Sequence, residues 1–75
     1  MVTDRMKQLL RHALGLNRRQ TSYRNYYVAA RGSPEMQLWE EMLEAGLARR
    51  GRPVSYGRCY QVTDAGRAAV EETAP

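Results

Sequence analysis

Cysteine occurs once in this chain of 75 residues, at Cys59, so an intramolecular disulfide is excluded and with it the cross-linked architecture of many small secreted domains. Only a pairing between chains remains open to that thiol. Histidine also occurs once, at His12, and its neighbours on a helical face are Gln8 and Arg11, with no carboxylate placed to orient it as a base. His12 and Cys59 have no companions at metal-ligand spacing, and the glycines serve turns and helix ends rather than a phosphate loop. No enzyme, cofactor or metal is therefore expected. Long apolar runs are missing as well: "MVTDRMKQLLRHALGL" scatters charge through its apolar residues, which gives neither a signal-peptide core nor a membrane span. A soluble, cytoplasmic protein without a membrane partner or small-molecule substrate is the expectation.

What is abundant is arginine. Of twelve basic residues eleven are arginine, against eight acids, for a net charge of +4. Four of those acids, Glu35, Glu40, Glu41 and Glu44, fall in one stretch without a basic residue; outside it twelve cations face four acids, a net of +8. The chain is a basic body with one acidic segment, and the planar guanidinium suits phosphate or carboxylate.

Apolar residues Met6, Leu9, Leu10, Ala13 and Leu14 recur at the spacing of one helix face. Thr3 or Asp4 is suited to cap its start, and Gly15 followed by Leu16 to a Schellman stop. "NRRQTSYR" (17–24) has no helical period and reads as loop, whereas "NYYVAA" (25–30) has the aromatic and β-branched content of a strand. Ser33 and Pro34 then supply an N-cap and a proline at the first helical position. The second helix runs to about Ala45, burying Met36, Trp39, Met42 and Leu43 with Leu38 at the margin, and Gly46-Leu47 repeats the glycine-leucine stop. "LARR" and "RCYQVT" read as a hairpin joined by "GRPVSYG", with Tyr60 and Val62 on its inner face. Thr63 caps a short third helix. One domain over 1–75 is expected, and a domain so short buries only about 60% of the surface of its unfolded chain.

The segment "MLEAGLARRGRPVSYGRCYQVTDAGRAAV" resembles the second half of winged helix-turn-helix regulators of the MarR and PadR kind: a "GL" turn, a basic wing, a Tyr-x-Val-Thr strand and a helix opening Asp-x-Gly-Arg. The resemblance covers roughly residues 35 to 70 and implies an α+β fold, a small winged-helix-like domain in the order helix, strand, helix, hairpin, helix. The chain as a whole, "LRHALGLN" and "YRNYYVA" in particular, is similar to small uncharacterised proteins of tailed phages and prophages. One departure stands out. Where those regulators place the first helix of the helix-turn-helix, "NRRQTSYRNYYVAA" has no helical period, so the motif is truncated. The second helix would also offer glutamates to an anionic backbone, and it is not expected to read bases.

Two functions fit these residues. In the first, Arg49, Arg50, Arg52 and Arg58 contact nucleic-acid phosphates with Tyr56 at the wing tip, Arg18, Arg19 and Arg24 add to the surface, and the acidic helix faces away. Arg31 and the interleaved Tyr23, Tyr26 and Tyr27 suit a single strand, or else alternate tyrosines pack under the first helix and the arginines are solvated. The wing arginines equally suit protection of a sheet edge. In the second, the domain is a protein-interaction module, and Glu35, Glu40, Glu41 and Glu44 dock a basic protein partner or a second copy as a homodimer.

Overall fold

The computed structural model describes residues 2–16 and 24–71. Among them three helices and three strands follow in the order α1 (Asp4–Leu14), β1 (Tyr27–Ala30), α2 (Pro34–Glu44), β2 (Ala48–Val54), β3 (Gly57–Val62) and α3 (Asp64–Glu71). Each helix begins on a hydroxyl cap: Thr3 Oγ1 accepts from the Met6 N–H at 3.1 Å, Ser33 Oγ from Met36 at 3.2 Å and Thr63 Oγ1 from Gly66 at 3.2 Å. The first two helices also end alike. Gly15 and Gly46 take left-handed φ values of 83° and 80°, and the next residues, Leu16 and Leu47, donate back to the Arg11 and Met42 carbonyls at 2.8 and 2.9 Å. The glycine-leucine stops read from the sequence are thus formed as expected.

The sheet is antiparallel with strand order β1-β3-β2, so consecutive β2 and β3 form a hairpin and β1 adds to the far side of β3. Two expectations need correction. Strand β1 begins at Tyr27 rather than Asn25, because the Asn25 side chain replaces backbone in the ladder: its Nδ2 donates to the Val62 carbonyl at 3.0 Å and its Oδ1 accepts from the Val62 N–H at 2.7 Å. The hairpin connection is also far shorter than "GRPVSYG". Only Ser55 and Tyr56 lie between the strands, and Gly51 to Val54 belong to β2.

The punctuation residues in that segment make a bulge instead of a turn. Arg50 pairs with Tyr60 and Pro53 with Arg58, which leaves Gly51 and Arg52 together opposite Cys59. A Cβ on Gly51 would lie 3.1 Å from Cys59 Sγ, so glycine suits the crowded side of the bulge. Proline is tolerated because β2 is an edge strand with no further ladder to feed. Bulge, proline and arginines all discourage pairing with another chain at this edge.

The core is formed by Met6, Leu9, Leu10, Ala13 and Leu14 of α1, Ala29, Trp39, Met42, Ala48, Tyr60, Val62 and Val70. The α1 residues are the five read from the helical spacing. On α2 only Trp39 and Met42 are buried, while Met36 and Leu43 are half-buried like Leu38, because the helix meets the sheet along a narrower stripe than the sequence suggested. At its centre Trp39 stacks on Tyr60 with centroids 5.3 Å apart and rings inclined by 13°, and meets Tyr27 at 5.4 Å. The Trp39 indole N–H is buried without a hydrogen-bond partner among the described residues. Alternation in β1 turns Tyr27 inward, where it meets the exposed His12 edge-on at 5.2 Å, and leaves Tyr26 exposed. No helix among the described residues is long and apolar enough to cross a membrane.

Candidate nucleic-acid interface

Strand alternation and the bulge distribute the hairpin's four arginines. In β3, Arg58 shares its face with Tyr60 and Val62, the face that the helices cover, and Arg50 is Tyr60's partner across the ladder. Both guanidinium groups therefore reach the rim of the helix layer, where Glu40 of α2 meets them. Arg50 Nη2 lies 3.2 Å from Glu40 Oε1, and Arg58 Nη1 lies 3.0 Å from Oε2. The Tyr60 hydroxyl donates to the same Oε2 at 2.5 Å. One glutamate of the acidic helix is thus bonded to two of the wing arginines.

Arg49 projects on the opposite face, where its Nε donates to Gln61 Oε1 at 3.1 Å. Arg52, in the bulge, is exposed and makes no side-chain bond among the described residues. Tyr56 stands at the tip with 67% of its surface exposed. Arg31 follows β1 and reaches the hairpin tip, its N–H donating to the Tyr56 carbonyl at 3.2 Å and its Nη2 to the Ser55 carbonyl at 3.4 Å. Arg31, Arg50, Arg52 and Arg58 converge on a shallow concavity of about 300 Å³ at the bulge, which no acidic residue lines.

The rest of the expected site is divided. Arg24 caps α1, its Nε and Nη2 donating to the His12 carbonyl at 3.2 and 2.8 Å, with the guanidinium 5.7 Å from the Tyr26 ring centroid. Arg18, Arg19 and Tyr23 lie outside the described residues. The acidic quartet separates too. Glu35 pairs with Arg5 of α1 at 2.9 Å and Glu40 with the hairpin, whereas Glu41 and Glu44 are exposed and without side-chain partners among the described residues. No three His, Cys, Asp or Glu side chains come together among the described residues in a way that could hold a metal ion.

One half of the Glu40 clamp had a signal in the sequence. Once Tyr60 and Val62 are assigned inward, alternation puts Arg58 on the same face, and an inward arginine needs a carboxylate from the element packed there. The second helix was rich in them.

Ionisation within the clamp is mutually set. The Tyr60 hydroxyl, donating to Glu40, holds the Glu40 carboxyl below its ordinary range; burial opposes this, and the two arginines reinforce it. Burial, and then the Glu40 carboxylate, push the Tyr60 phenol up to about 12. The linkage is two-sided. A depressed carboxyl adds stability above its unfolded value of about 4.3 that is lost as pH falls through the folded value, and a raised phenol adds stability below about 10 that is lost on passing the folded value. In an alkaline absorbance titration Tyr60 is expected to ionise late, near 12, and in Glu40→Gln that step moves down without reaching the ordinary value, since burial persists. An unmoved step would mean that the carboxylate does not face the phenol.

Compared with protein-family models, with curated proteins and with solved structures, the chain matches none, and its functional reading rests on the geometry of the hairpin.

Proposed function

We propose that this is a winged-helix-like binding module that contacts the phosphate backbone of nucleic acid through the β2–β3 hairpin, working by association rather than by chemistry. The observation that carries the reading is the hairpin's charge. Residues 48–62 contain four arginines and no acid, and among the described residues the one carboxylate bonded to those arginines is Glu40, so four positive charges against one negative leave +3 on the edge hairpin. A basic surface of this kind is the electrostatic footprint of nucleic-acid binding. The strand order β1-β3-β2, with a helix running directly into the hairpin, agrees with a winged-helix arrangement. The acidic exposed face of α2 argues against base readout by that helix, and backbone contact without sequence preference is the mode that fits.

The test is fluorescence anisotropy with duplex and single-stranded oligonucleotides across a salt series. Four neutralised phosphates give a slope of log K against log salt of about −3.6, and Arg49→Ala with Arg52→Ala should reduce it by about 1.8. Neither arginine supports the core. A flat salt response in the wild-type protein would rule the reading out.

A second reading draws on Glu41 and Glu44, exposed on α2 of a basic molecule and without side-chain partners among the described residues. They suit docking to a basic protein or to the hairpin of a second copy. Reversing their charge would abolish such a contact and leave oligonucleotide binding intact or stronger.

A further inference from the structure

We infer that the bulge of β2 is a seat for a single phosphate group, and that the Glu40 carboxylate stands in for that phosphate on Arg50 and Arg58 until one displaces it. This deepens the reading of the hairpin as a phosphate-contacting surface and rests on it.

Four arginines from three separated places in the chain, Arg31, Arg50 with Arg52, and Arg58, line one concavity of about 300 Å³, and Glu40, outside its wall, reaches two of them from beside it. Mutual repulsion makes such convergence unfavourable unless an anion is shared among them. Glu40 supplies that anion in part. Its two oxygens take Arg50 and Arg58 at 3.2 and 3.0 Å, while Arg52 has no side-chain partner among the described residues and Arg31 has a carbonyl at 3.4 Å. Carboxylate and phosphate present oxygens to guanidinium in the same way, so the clamp marks where phosphate oxygens would be received.

The clamp is built to open. The Arg50 and Arg58 side chains are 58% and 47% exposed, and ion pairs this exposed are weak. The bonds to Glu40 use one terminal nitrogen of each arginine, and a guanidinium carries five N–H donors, so both retain donors for a second acceptor. Displacement would not orphan the carboxylate, because the Tyr60 hydroxyl at 2.5 Å continues to donate to it. Gly51 in the bulge has no side chain to obstruct approach to the backbone there. Glu40 thus sets the affinity of the seat: it keeps the arginines gathered and charges each incoming phosphate the cost of replacing it.

The experiment compares wild type, Glu40→Gln and Arg52→Ala with two probes, inorganic phosphate and a short duplex. Phosphate is titrated against chloride at equal ionic strength while the arginine Nε–H signals are followed by NMR, and the duplex is followed by anisotropy. The Arg50, Arg52 and Arg58 signals should shift together in the wild type. In Glu40→Gln, which keeps an acceptor for Tyr60 but loses the negative charge paired with Arg50 and Arg58, both probes should bind about fivefold tighter, and in Arg52→Ala both should weaken. Unchanged or weaker binding in Glu40→Gln, or stationary arginine signals, would overturn the inference. Duplex binding with stationary signals would leave the nucleic-acid reading standing and remove the seat. Phosphate shifts without duplex binding would keep the seat and remove nucleic acid as its ligand. Should Glu40→Gln fail to fold, Arg52→Ala decides alone, since Arg52 is exposed and has no side-chain partner among the described residues: no loss of phosphate binding there refutes the seat.

Discussion

Trp39→Ala is expected to cost about 3–5 kcal/mol and to leave the protein largely unfolded at physiological temperature. Trp39 is fully buried and forms the middle of the Tyr27, Trp39, Tyr60 stack, so its removal empties the junction of α2 with β1 and β3 at once. A chain of 75 residues carries roughly 4–11 kcal/mol of total stability, and this one loss consumes much of it. Trp39→Phe separates two contributions. It keeps an aromatic ring between the tyrosines and removes the buried indole N–H that has no partner among the described residues, so its cost should be less than half that of alanine. Thermal and denaturant unfolding followed by circular dichroism measure both. An alanine variant that melts like the wild type would mean that the stack contributes nothing to the core.

Gly66→Ala is expected to destabilise by about 1–3 kcal/mol or more, a fall in Tm of roughly 4 °C at the least and 10 °C or more toward the upper end, although in most helices this exchange stabilises. The usual gain is about 0.5–1 kcal/mol from reduced freedom of the unfolded chain and better helix propensity. Here sterics decide the sign. A Cβ at Gly66 would overlap the Leu47 carbonyl oxygen and approach Val62 Cγ1 to 2.6 Å. Moving α3 away to relieve this would stretch the Thr63 N–H bond to the Leu47 carbonyl, 3.1 Å, and the Thr63 hydroxyl bond to the Gly46 carbonyl, 2.6 Å. The variant would therefore loosen the joint between the end of α2 and the start of α3. A Tm at or above the wild-type value would show that the helix does not press on that carbonyl.

Gly66 also shows what a motif conveys. The "Asp-x-Gly-Arg" helix opening was visible in the sequence as a resemblance, but the requirement for glycine there is a contact with the turn after α2, about twenty residues earlier. Gly57 is similar: a Cβ on it would strike the Ala29 carbonyl of β1. In both cases the residue is local and its reason is not.

What the sequence by itself determined were the features governed by neighbours along the chain. The hydroxyl caps at Thr3, Ser33 and Thr63, the glycine-leucine stops at Gly15 and Gly46, the buried stripe of α1 and the inward alternation of Tyr60 and Val62 depend on interactions within a few residues, and all are present. What only the tertiary structure decided was set between distant residues. Asn25 shortened β1 by pairing with Val62, 37 positions away, and Gly51 and Pro53 became a bulge because the register across β3 fixed them there. Alternation turned Arg58 inward, but that Glu40, of the four helix glutamates, meets both Arg58 and Arg50 was decided by packing. Composition reports how much charge a chain carries, whereas an ion pair depends on which faces the packed elements turn toward each other, and that is settled only when Trp39 seats α2 on the sheet.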